Sequence, residues 1–133
     1  MAGETSLATL LRSMSPQLND GEYVFCTLPD GQLPHGLGIV GSFREREGLT
    51  VILPRAQAQQ AGMSFDYVAA WITLNVHSAL EAVGLTAAFA TALGQAGISC
   101  NVIAGYYHDH LFVGQADAER AMQVLRDLAA NAE

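Results

Sequence analysis

The sequence predicts an α+β fold, an antiparallel sheet with helices on one face, assembled from two βαββαβ-like halves. Three observations carry this. Half of the 133 residues are hydrophobic and only 14% are charged, so a buried core is available. Runs with the two-residue alternation of strands are separated by Ala- and Leu-rich stretches of helical period. In the second half these elements run strand, helix, strand, strand, helix, one strand short of βαββαβ, so another segment must complete the sheet. The length suits one compact unit or two half-size units sharing a core, with an expected division into an atypical half over 1–64 and a fuller unit over 65–133.

Taken in order, Thr5 or Ser6 can cap a short helix through about Met14, with Leu7, Leu10 and Leu11 on one face and Pro16 as its end. After Asn19-Asp20-Gly21, the aromatic and β-branched run from Glu22 to Leu28 is a strand that Pro29-Asp30-Gly31 stops. Gln32 to Gly38 is expected to be an exposed, mobile loop. Ile39–Phe43 and Leu49–Leu53 form a hairpin across Arg44-Glu45-Arg46-Glu47-Gly48, its arginines on one face and its glutamates on the other. Pro54 starts a helix that runs from Arg55 to about Ala61 and ends at Gly62. Tyr67–Val76 is a long strand, with Ile72 and Leu74 on one face and Trp71, Thr73 and Asn75 on the other. A helix spans Val83 to Gln95, then a strand Ile98–Tyr107, a turn at Tyr107-His108-Asp109-His110 and a short strand Leu111–Val113. The last helix begins near Ala116-Asp117, with acidic residues in its first turn as the helix dipole favours.

Composition excludes several function classes. A net charge of −7 disfavours a phosphate backbone, so nucleic acid is not an expected partner. The chain has no lysine, which removes Schiff-base and P-loop chemistry. Cys26 and Cys100 stand far apart and outside any C-x-x-C pattern, as buried strand residues rather than a disulfide or zinc site. With no signal-peptide pattern or membrane-length apolar run, the protein is expected to be cytoplasmic.

The stretch from Trp71 to Ala88, WITLNVHSALEAVGLTAA, followed by Ala96-Gly97-Ile98-Ser99-Cys100-Asn101-Val102-Ile103, resembles an ACT domain. Val83 stands where that family usually has proline, and Ser99-Cys100-Asn101 replaces its single Asn. The phrases Phe43 to Thr50, Val76-His77-Ser78 and Gly105 to Val113 resemble a subgroup of small stand-alone bacterial proteins with two ACT-like units, related to the ACT pairs of arginine-sensing proteins. The resemblance covers most of residues 20–128. It implies a ferredoxin-like (βαββαβ) ACT-type sandwich and a regulatory module binding an amino acid between ACT-like units, as a homodimer or higher homo-oligomer. The alternatives are a dimerisation or partner-docking domain without ligand, and a metal-dependent enzyme.

An amino-acid ligand needs N–H donors for its carboxylate and an acceptor for its ammonium. The segment from His77 to Thr86 offers both: helix N-terminal N–H groups at Val83, Gly84, Leu85 and Thr86, close main-chain approach at Gly84, and Glu81, or Asp109 from the later turn, for the ammonium. Ser78 and Glu81 also fit a capping box, which stays open as the structural reading. His108 and His110 lie two apart, with His77 as a third candidate, but the expected role of that turn is structural and no metal or cofactor is expected. No nucleophile–base set is present, since adjacent His77 and Ser78 would point to opposite faces of a strand.

Overall fold

The computed structural model describes residues 6–76 and 83–132. The chain forms two compact units: one gathers the segment up to Asn19 with everything from Ala70 onward, and the other spans Asp20–Ala69.

In the larger unit, α1 (Leu7–Ser13) and β1 (Ser15–Leu18) precede the end of β5 (Val68–Asn75). Then follow α3 (Leu85–Gln95), β6 (Cys100–Ala104), β7 (Asp109–Gly114) and α4 (Ala118–Ala130). The strands lie in the order β6-β7-β5-β1. The strand missing from the second half is therefore β1, antiparallel to β5 in the register Ser15↔Asn75 to Leu18↔Ile72. Pro16 does not merely end a helix; it sits inside this strand. An edge strand tolerates proline because one side of it needs no N–H donors. Strand alternation sends Ile72, Leu74, Leu111 and Val113 to one face. There they meet Leu10 of α1, Leu85, Phe89 and Leu93 of α3, and Ala121, Met122 and Leu125 of α4, all in one buried cluster.

α3 stops as the sequence requires. Gly97 takes φ 76°, which lets the Ile98 N–H reach back to the Leu93 carbonyl at 2.9 Å and close the last turn. Arg120 of α4 donates to the Ala96 carbonyl at 3.2 Å while its other terminal nitrogen pairs with Asp117 at 3.1 Å, placing a cation at the negative end of α3.

The smaller unit holds β2 (Tyr23–Leu28), β3 (Gly41–Arg44), β4 (Leu49–Pro54), α2 (Arg55–Gln60) and the first residues of β5. Its strand order is β3-β4-β2-β5, all pairs antiparallel. A βαββαβ unit would have a helix between β2 and β3; here residues 29–40 form a loop instead. That loop is not wholly exposed. Leu37 and Ile39 pack against the core of Val24, Cys26, Leu49, Val51, Leu53 and Ala58, and the Gly38 N–H donates to Gln57 Oε1 at 2.6 Å. Glu22 and Arg55 pair at 3.0 Å, and the Arg55 guanidinium lies 5.9 Å from the Phe65 ring centre.

The hairpin of the larger unit turns earlier than the sequence suggests. The Gly105 N–H donates to the His108 carbonyl at 2.9 Å, so Tyr106 and Tyr107 form the exposed tip. Asp109 and His110 belong to β7 rather than to the turn.

Candidate functional site

β5 leads toward α3, and the approach to that helix is the first part of the site. Gly84 is the N-cap of α3 and takes φ 101°, a left-handed conformation open mainly to glycine. A Cβ here would also stand 3.2 Å from Leu7 Cδ2. Among the described residues no side chain caps the helix, and Gly84 has none to offer to the first N–H groups of α3. Val83 is 83% exposed and Thr86 is exposed, whereas Leu85 is buried in the core. α3 begins at Leu85 rather than Val83, with Gly84 as its N-cap. His77, Ser78 and Glu81 lie outside the described residues.

Asp109 opens β7 and shares the helix-covered face with Leu111 and Val113. Burial pushes its carboxyl above the usual range, with His110 opposing the shift. No hydrogen bond or ion pair reaches this carboxylate among the described residues. Val83, Gly84, Leu85 and Thr86 are thus brought together by the chain, while Asp109 stands on another strand and is not bonded to them.

The opposite face of the same strands carries a polar chain that element-by-element reading misses. Trp71 Nε1–H donates to His110 Nδ1 at 3.1 Å, and the Thr73 hydroxyl lies 3.2 Å from the same nitrogen. An indole nitrogen can only donate, so Nδ1 is an acceptor, the Thr73 hydroxyl must donate to it, and the ring proton sits on Nε2. Asn19 Nδ2 then donates to Thr73 Oγ1 at 3.0 Å and to the Trp71 carbonyl at 3.2 Å. The Trp71–Thr73–Asn75 alternation marks this face in the sequence; the contact with His110, 39 positions from Trp71, has no local signal.

Among the described residues no group of three or more His, Cys, Asp or Glu could hold a metal ion. Both thiols are pushed up by burial, which disfavours the reactive thiolate. No helix among the described residues is long and apolar enough to cross a membrane.

An antiparallel sheet with helices, to which each unit contributes its own strands, is an ACT-type, ferredoxin-like tandem fold. The chain belongs to the ACT domain family, which matches residues 2–70 and again residues 67–127. ACT domains are regulatory, typically ligand-binding modules. The chain is similar to a Vibrio cholerae protein of unknown function described as a possible transport protein. The two are 54% identical over 96% of this chain and 99% of that one, with a TM-score of 0.84. It shares its fold with an Agrobacterium tumefaciens protein at 20% identity, 87% and 89% coverage and TM-score 0.67. The regulatory subunit of aspartate kinase from Thermus thermophilus shares it at 9% identity, 85% and 95% coverage and TM-score 0.63. No curated protein sequence matches.

Proposed function

We propose that the chain is a cytoplasmic, non-catalytic regulatory module that binds an amino acid where β5 leads into α3, and that it works as a homodimer or higher homo-oligomer. The observation that carries the ligand is Asp109. A carboxylate half-buried and without a hydrogen-bond or ion-pair partner among the described residues is a cost to the fold, and a ligand ammonium beside it would offset that cost. The first N–H groups of α3, which no side chain caps among the described residues, supply the complementary contact for the ligand carboxylate. His77, Ser78, Glu81, Val83, Gly84, Leu85, Thr86 and Asp109 form the proposed contact set.

A thermal-shift screen over the common amino acids tests this. A ligand at a hundred times its dissociation constant adds about 2.7 kcal/mol, a rise of about 10 °C for a chain of this length. The expected result is a rise with one amino acid that Asp109→Asn abolishes. No rise with any amino acid at millimolar concentration refutes the reading, and tight self-association alongside it favours a docking domain without ligand.

A further inference from the structure

His110 is held by two donors and surrounded by few charges. Trp71 and Thr73 from β5 both direct protons at its Nδ1. Ile103 is its partner across the β6–β7 pair. Asn19, beyond Thr73, is uncharged. Among the described residues the titratable neighbours are His108 and Asp109, both on its own hairpin. On its other side the ring edge lies over Gly105, where a side chain would crowd it: a Cβ there would stand 3.2 Å from His110 Nε2.

We propose that His110 is an acid-sensitive latch on the helix-free face of the larger unit, whose protonation at Nδ1 breaks its hydrogen bond from Trp71, reverses the one with Thr73 and loosens β7 from β5. The proton comes from water and fills the lone pair that both donors share. The indole N–H then faces an N–H and has no acceptor there, while the Thr73 hydroxyl must turn from donor to acceptor and give up the partner of its own proton. Thr73 is only 8% exposed, so its hydroxyl has little access to water as a replacement. The sign follows from the environment. Burial, the largest cause, and then His108 hold His110 below its ordinary value, with Asp109 opposing. The native state therefore binds fewer protons than the unfolded chain, and the stability held above pH 6.5 is lost as pH falls through the lower folded value. This inference does not depend on the ligand reading.

Trp71 is the single tryptophan, so its indole N–H gives one amide-region NMR signal and the intrinsic emission has one source. Both are followed in the full chain from pH 8 to 5, in the wild type and in His110→Gln, whose side-chain oxygen can accept the indole proton without titrating. In the wild type the indole signal is expected to move in one step with a midpoint below 6.5, and its solvent exchange to quicken at least tenfold. In His110→Gln both stay constant. A pH-invariant indole signal in the wild type, or the same step in the variant, overturns the proposal. If His110→Gln does not fold, the His110 Cε1–H titration in the wild type decides: a midpoint at or above 6.5 overturns it.

Discussion

Replacing Leu10 by alanine tests whether α1 belongs to the core of the larger unit, some sixty residues further along the chain. Leu10 is 0% exposed and sits in one cluster with Phe89, Leu93 and Leu125. Removing three carbon groups costs about 2.4 kcal/mol in transfer free energy, and an incompletely filled space adds about 1 kcal/mol. At ~2.1 cal/mol/K for each of 133 residues, a loss of about 3.4 kcal/mol lowers the Tm by about 12 °C. Urea and thermal unfolding followed by Trp71 emission measure it, because Trp71 lies in the larger unit and not in the Asp20–Ala69 unit. A loss below about 1 kcal/mol would show that α1 lies loosely on the surface, and the assignment of Leu10 to this core would be wrong.

Asp109→Asn should raise the Tm at pH 7. Because the folded carboxyl is held high, its stabilising protonated form is lost as pH rises through the folded value, so the advantage of the variant should shrink toward pH 4; a variant less stable than wild type at pH 7 would expose a partner for the carboxylate. Gly84→Ala must adopt φ 101° beside Leu7 and should cost about 1–2 kcal/mol by chemical denaturation; an unchanged midpoint contradicts the left-handed cap. Glu22→Gln should cost under about 1 kcal/mol, with the difference fading in 1 M salt, because both partners are about two-fifths exposed; a loss several times larger would mean the pair is desolvated in solution.

Much of the fold was legible where pattern and punctuation agree. The helix ending at Gly97, the β3–β4 hairpin and the acidic first turn of α4 follow from local rules that nothing in the tertiary structure overrides. β1 was hidden because Pro16 reads as a terminator, and only an unneeded hydrogen-bonding edge permits it in a strand. The β6–β7 turn was misplaced by two residues because Tyr106 and Tyr107 are strand-forming by type, while the bond from Gly105 to His108 makes them the tip. At the site, Gly84 announces itself in the sequence, but its left-handed angle and the nearness of Leu7 do not. The desolvation of Asp109 and the bonds to His110 arise from strands that meet only after folding, so no window of sequence contains them.

The pairing of residues 15–18 with 72–75 has a consequence for biosynthesis. The hydrophobic segment with Leu7, Leu10, Leu11 and Met14 is synthesised about a hundred residues before α4 and must wait for it before its burial is complete. Meanwhile the Asp20–Ala69 unit has every strand it needs as soon as Ala69 emerges. Nascent chains halted before residue 118 should therefore hold one finished unit and an α1 segment that still exposes its apolar side, a species for chaperones to shield until α4 emerges.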